Sequence, residues 1–246
     1  SEGVSRVVLC GMGGSSLAPE VITKTFGTEL VVLDSTEPSQ VSDVVSKELG
    51  RTVVVVSSKS GSTVETDSQK RSFEAAFEAA GIDRRERIVI VTDPGSPMES
   101  EALGDGYRVF TADPTVGGRY SALTAFGVVP SVLAGVDMES VLHSAIAAER
   151  VLAEDSESNP GLILGAALAR TAAASGFKDK LGLIPNGTSI VGFGDWAEQL
   201  IAESTGKDGK GVLPVVLESH SHEIAADHDD LLLIGLAEDA STSPFD

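Results

Sequence analysis

Short runs of Val, Leu and Ile alternate along the chain with longer stretches in which apolar residues return every three or four positions. The short runs are continuous rather than alternating, as parallel strands buried on both faces require, and the longer stretches have the period of amphipathic helices. The pattern predicts strands at Val7 to Cys10, Leu30 to Asp34, Val53 to Ser57, Ile88 to Thr92 and Tyr107 to Phe110. Between them it predicts helices over Leu17 to Phe26, Pro38 to Glu48 and Val64 to Ala80, long enough for right-handed crossovers. The fold class is therefore α/β, with a doubly wound, mostly parallel five-stranded sheet in residues 1–135.

From Ser121 to Gly176 the strand signal stops, and Ala, Leu and Glu recur at helical spacing over Ala122 to Leu133, Met138 to Asp155 and Gly161 to Ala174. Asn159-Pro160 reads as a cap followed by proline at the first helical position. Residues 136–178 are thus expected to form a helical connector. Apolar runs return at Leu181 to Ile184, Ser189 to Gly192, Val212 to Leu217 and Leu231 to Leu236, around one helix from Asp195 to Ser204. They predict a second, incomplete α/β unit over 179–246.

Composition narrows the function. In 246 residues there are 18 Lys and Arg against 37 Asp and Glu, a formal net charge of -19. That charge disfavours nucleic acid and anionic membrane as partners. The sequence holds no apolar run of about 18 residues and no secretory start. A single cysteine, Cys10, rules out an intramolecular disulfide and a multi-cysteine zinc site. A soluble, cytoplasmic protein is the expectation.

The chemistry sits at strand-to-helix junctions. The first strand runs into Gly11-Met12-Gly13-Gly14-Ser15-Ser16 and then a helix, whose free N–H groups and dipole favour an anion. A dinucleotide fingerprint would use Gly11, Gly13 and Asp34, but Ser16 stands where its last glycine belongs. A tight turn without ligand is the bland alternative. The third strand ends in Ser57-Ser58-Lys59-Ser60-Gly61-Ser62-Thr63, which gathers hydroxyls, main-chain N–H groups and one cation where a phosphate can sit. A solvated serine-rich cap would look similar, yet two such loops on one sheet can face one ligand at the switch point. A third cluster, Val116-Gly117-Gly118-Arg119-Tyr120-Ser121, pairs close backbone approach with a planar cation.

Taken in order, Gly11 to Pro19, Ser58 to Thr63 and Gly117 to Ser121 resemble the glucose-6-phosphate isomerase family, whose sugar-isomerase domains carry closely similar segments. The stretch Gly-Met-Gly-Gly-Ser-Ser-Leu-Ala-Pro-Glu is similar to the isomerase part of bifunctional transaldolase/glucose-6-phosphate isomerases. The resemblance implies sugar-isomerase-type α/β domains and interconversion of glucose 6-phosphate and fructose 6-phosphate through a cis-enediol(ate), a step of glycolysis and gluconeogenesis. It places the sugar 6-phosphate against Ser58, Lys59, Ser60 and Thr63, with Gly14, Ser15 and Gly118 lining the site. Arg119 stabilises the enediolate. The base is assigned to Glu203, with Glu198 one turn earlier as rival. Ring opening is assigned to His220, with His222 as the alternative acid/base, and in the family this histidine comes from a neighbouring subunit, which implies a homodimer. No cofactor is expected. His220, His222 and Glu223 also make a possible metal cluster, but the proton-transfer chemistry needs no metal.

One family feature has no match: a lysine in a C-terminal segment of the form Gln-x-Gly-Val-Glu-x-x-Lys. Either the chain is a piece of a longer protein or its site is incomplete, and the short second unit favours the piece. Two other functions fit parts of the pattern. A noncatalytic sugar-phosphate-binding module would use the same anion loops, and a nicotinamide-dependent oxidoreductase would use Gly11, Gly13 and Asp34 but leave the serine-rich loop without a duty.

Overall fold

The computed structural model describes residues 3–170, 178–218, 220–226 and 228–238. The chain divides into two units, Ser1–Val136 and Asp137–Asp246.

The first unit alternates strands and helices: β1 (Arg6–Gly11), α1 (Leu17–Thr25), β2 (Val31–Leu33), α2 (Pro38–Ser46), β3 (Thr52–Ser58), α3 (Val64–Ala79), β4 (Ile88–Thr92), α4 (Pro97–Asp105), β5 (Arg108–Thr111) and α5 (Ala125–Leu133). The five strands form one parallel sheet in the order β2-β1-β3-β4-β5. Side chains alternate across it as the pleat dictates. Val8, Cys10, Val54, Val56, Ile88 and Ile90 pack on the face covered by Phe73 and Phe77 of α3 and Met98 and Ala102 of α4. Val7, Leu9, Val53, Val55, Val89 and Val91 pack on the opposite face with Phe126 of α5. Both faces of β1, β3 and β4 are dry, which is why these strands read as near-continuous apolar runs, whereas β5 at the edge of the sheet is largely exposed. Phe73 and Phe77, fully buried with ring centroids 6.1 Å apart, are each worth roughly 1.5–3 kcal/mol in apolar burial.

The second unit contains α6 (Met138–Leu152), α7 (Pro160–Arg170), β6 (Lys180–Pro185), α8 (Phe193–Thr205), β7 (Leu213–Val216), α9 (His222–Ala225) and β8 (Leu231–Leu236). Its strands form a parallel sheet in the order β7-β6-β8, with Leu181 and Leu183 of β6 packed on Ala197 and Ile201 of α8. The side chain of Asn159 caps α7 by accepting from Gly161 N and Leu162 N, as its pairing with Pro160 predicts. The expected helix past Arg170 runs into residues 171–177, outside the described ones.

One predicted strand is wrong. Ser189–Gly192 is a loop, with Ile190 and Val191 half exposed. Its backbone donors are taken by side chains, Ser189 N by Glu238 at 2.9 Å and Ile190 N by Thr188 at 3.2 Å, and Gly192 has the left-handed φ of 77°. Helices α4 and α9 were not predicted.

The entry of α5 is controlled by one glycine. A Cβ on Gly127 would stand 1.8 Å from the carbonyl oxygen of Ala122, so the 3-10 turn Gly118–Leu123 can lie against α5 only with glycine there. Gly127→Ala is expected to lower unfolding free energy by about 2 kcal/mol, read from the urea midpoint. An unchanged midpoint would mean the turn relaxes freely.

Candidate active site

In this sheet the chain winds outward from β1 to β2, then returns to start β3 on the other side of β1, so the switch point lies between β1 and β3. A crevice at the carboxyl ends of those two strands follows from the topology, because the two crossovers leave in opposite directions. The register pairs Gly11 with Ser57 and Ser58 with Thr92, so β1, β3 and β4 end level and their loops emerge side by side.

The loop after β1 turns through the 3-10 segment Gly13–Ser15, with Gly13 at a φ of 55°. Ser15 is buried. A Cβ on Gly14 would lie 2.6 Å from the carbonyl oxygen of Gly118 and 3.0 Å from Arg119 N. The absence of a side chain at Gly14 therefore lets two backbones touch, and it sets the start of the Arg119 turn against the first loop. Ser121 fastens the same contact: its buried hydroxyl donates to Gly118 O at 2.6 Å and lies 3.4 Å from Gly14 O. The Arg119 guanidinium stacks 4.8 Å from the centroid of the exposed Tyr120 ring.

The loop after β3 is internally bonded. Ser58 Oγ and Thr63 Oγ1 share a hydrogen bond of 3.0 Å, and Gly61 N donates to Ser58 Oγ at 3.2 Å. Ser60 Oγ accepts from Ser62 N at 3.2 Å and from the Ser62 hydroxyl at 3.1 Å. Thr63 precedes α3 without capping it by its side chain, so the first N–H groups of a 16-residue helix face this loop. Gly61, at a φ of 67°, presses on α4, where a Cβ would come within 2.9 Å of Ser96 and Met98.

Sequence reasoning missed the residues behind this loop. Thr92 Oγ1 donates to Ser58 O at 2.7 Å and shares a 2.8 Å hydrogen bond with Ser96 Oγ. Asp93 forms an ion pair with Lys59, whose ammonium also donates to Pro114 O at 3.4 Å. The expected phosphate cation is thus held by a carboxylate of its own chain. Strand order carries the signal that would have found Asp93: once Ser58 pairs with Thr92, the next residues on each strand are neighbours.

The first unit therefore gathers Gly14, Ser15, Ser58, Lys59, Ser60, Thr63, Gly118 and Arg119 at one edge of one sheet. The expected acid/base residues belong to the second unit. Glu203 is exposed in the last turn of α8, where Gln199 Nε2 donates to its carboxylate at 2.9 Å and Lys207 Nζ to its carbonyl at 2.9 Å. Glu198 is exposed on the same helix. His220 is exposed, its Nε2 3.0 Å from Glu218, and His222 opens α9. Among the described residues no group of three or more His, Cys, Asp and Glu is placed to hold a metal ion, so His220, His222 and Glu223 do not form one. Among those residues, too, no helix is long and apolar enough to cross a membrane.

The model of the family described as phosphoglucose isomerase matches residues 1–223. The chain belongs to that family. Similar relatives are a probable glucose-6-phosphate isomerase of Haloarcula marismortui, 33% identical over 212 residues, covering 85% of this chain and 48% of the relative. Another is a glucose-6-phosphate isomerase of Rippkaea orientalis, 32% identical over 219 residues, covering 85% of this chain and 41% of the relative. The chain spans less than half the length of either. Among solved structures, a glucose-6-phosphate isomerase from Chlamydia trachomatis superposes with a TM-score of 0.75 at 26% identity, over 87% of this chain and 45% of that one. A hypothetical protein from Thermus thermophilus reaches a TM-score of 0.84 at 28% identity, over 94% of this chain and 59% of that one.

Gly14→Ala is expected to cost about 1–3 kcal/mol of stability, because the Arg119 turn must move off the first loop. Gly118→Ala, whose Cβ would meet nothing within 4 Å, should stay within about 0.5 kcal/mol of the wild type. Urea unfolding of the two variants checks the contrast, and equal losses would contradict it.

Proposed function

We propose that this chain is the substrate-gripping part of an aldose-ketose isomerase that interconverts glucose 6-phosphate and fructose 6-phosphate. The observation that carries this reading is the meeting of three loops at the carboxyl ends of one sheet: Gly14 seats the Gly118–Arg119 turn on the first loop, and Lys59, through Pro114, links the serine-rich loop to the segment that leads into that turn. The Ser60 hydroxyl, the hydroxyl proton that the mutual bond of Ser58 and Thr63 leaves over, and the main-chain N–H groups at the start of α3 supply oriented donors for a phosphate dianion. Gly14, Ser15 and Gly118 line the path from the phosphate toward the reacting carbons.

The chemistry needs a base at C2 and a positive charge beside the two oxygens. Glu203 takes the proton from C2 of the open-chain aldose, electrons move toward the C1 carbonyl oxygen, and a cis-enediol(ate) forms. The O2 hydroxyl proton passes to O1, and the same carboxyl returns its proton to C1 while the carbonyl forms at C2. Arg119 faces the charge that develops on the oxygens, where a fixed cation counts most. Gln199, one turn before Glu203, orients the base through its amide donation. His220 assists ring opening, with His222 its alternative. These steps draw on proton transfer and fixed charge, and no cofactor enters. The working form in this reading is a cytoplasmic homodimer, and the wording of Gly11 to Glu20 favours a transaldolase-fused polypeptide as its setting.

Two variants test the roles. Glu203→Gln is expected to slow exchange of the C2 proton of glucose 6-phosphate with deuterated solvent by about a thousandfold, with affinity nearly unchanged. Proton NMR of the sugar reads this directly, and equal exchange in both proteins would remove Glu203 as the base. Arg119→Ala is expected to lower kcat by about a hundredfold while fructose 6-phosphate affinity falls much less. Loss of affinity alone would make the arginine a phosphate ligand instead.

A further inference from the structure

Lys59 is the one cation in the serine-rich loop, and its ammonium is turned away from the role that a loop cation ordinarily has. It is bonded to Asp93 just beyond β4 and to the carbonyl of Pro114 on the way to Gly117 and Arg119. The Lys59 side chain is 29% exposed and that of Asp93 16%, so the pair is only partly open to solvent screening. Asp113 stands close enough for Lys59 to be among the causes that hold its carboxyl below the ordinary range, after the hydrogen bonds from Thr115. One carboxylate and one carbonyl thus bond the ammonium, with a second carboxylate within its electrostatic reach, so the charge of Lys59 is already committed to Asp93. The same contacts join the loops that follow three adjacent strands, β3, β4 and β5.

We infer that the Lys59 side chain is a positioning strap rather than a phosphate ligand: through Asp93 and Pro114 it holds the serine-rich loop at a fixed distance from the Gly117–Arg119 turn. The phosphate is then gripped by hydroxyls and main-chain N–H groups, and Lys59 sets how far that grip stands from the arginine. This deepens the sugar-phosphate reading and rests on it for the ligand, but the strap itself belongs to the free protein.

The two roles predict opposite signs for Asp93→Asn. If Lys59 bound phosphate, removing its carboxylate partner would free the cation and tighten fructose 6-phosphate. If it is a strap, Asp93→Asn and Lys59→Met each weaken binding by a similar factor, about tenfold, and the double variant is no weaker than the weaker single one, since all break the same link. Lys59→Arg should restore much of the affinity when Asp93 is present and none in the Asp93→Asn background. Calorimetric titration with fructose 6-phosphate measures all five proteins against the wild type. Tighter binding by Asp93→Asn, or additive losses in the double variant, would overturn the strap. A second readout needs no ligand: amide hydrogen exchange at residues 116–119 is expected to rise equally in Lys59→Met and Asp93→Asn, and unchanged exchange in either would also overturn it. A wild type that binds no sugar phosphate would strike the proposed function, while the exchange comparison would still decide the strap.

Discussion

The contact between the Gly14 and Gly118 backbones is the constraint on which the first unit's edge depends. Hydrogen bonds can be remade when a loop shifts, but a space of 2.6 Å between a missing Cβ and a carbonyl oxygen has no alternative occupant. Once Gly14 closes on that turn, Ser121 can bond to the Gly118 carbonyl, Arg119 leaves the backbone at a defined point, and Gly127 lets α5 follow without a clash. The sheet supplies the other coordinate, since the in-step register of β1, β3 and β4 delivers the serine-rich loop to the same edge. Close packing of backbone and register of strands together locate the site.

Under the proposed function, electrostatics explains why a phosphate grip would be built from dipoles. A net charge of -19 repels any phosphorylated ligand at long range, so the binding proposed for this chain draws on short-range, oriented donors. Hydroxyls and the N–H groups at the start of α3 act over such distances. Lys59, the obvious attractor, is ion-paired with Asp93, while Arg119 stands on the neighbouring turn, the position that the proposed mechanism gives to the cation beside the developing charge. In the proposed mechanism that division separates holding the substrate from lowering the barrier.

The sheet was legible because its central strands β1, β3 and β4 are dry on both faces and so appear as plain apolar runs, and the anion loops were legible because glycine and serine cluster at strand ends. What escaped notice lacked periodicity. The 3-10 turns at Gly13–Ser15 and Gly118–Leu123 are too short to show one. Helix α4, also missed, does carry a start signal in Ser96, Pro97 and Glu99, a cap, an N1 proline and a third-position glutamate, and Ser96 Oγ accepts from Glu99 N at 3.1 Å. Ile190 and Val191 looked like a strand because they are apolar, but neighbouring side chains captured their segment's backbone donors. Asp93 is a lone acid in a turn, and only the pairing of β3 with β4 reveals that it meets Lys59.

The central claim is that the turns of this sheet edge hold a hexose monophosphate in one orientation. A crystal structure of the chain soaked in fructose 6-phosphate tests it most directly. The account predicts phosphate density within hydrogen-bond reach of Ser58, Ser60 and Thr63, with the sugar running past Ser15 toward Arg119. Density for the phosphate at any other place, or a sugar pointing away from Arg119, would contradict it.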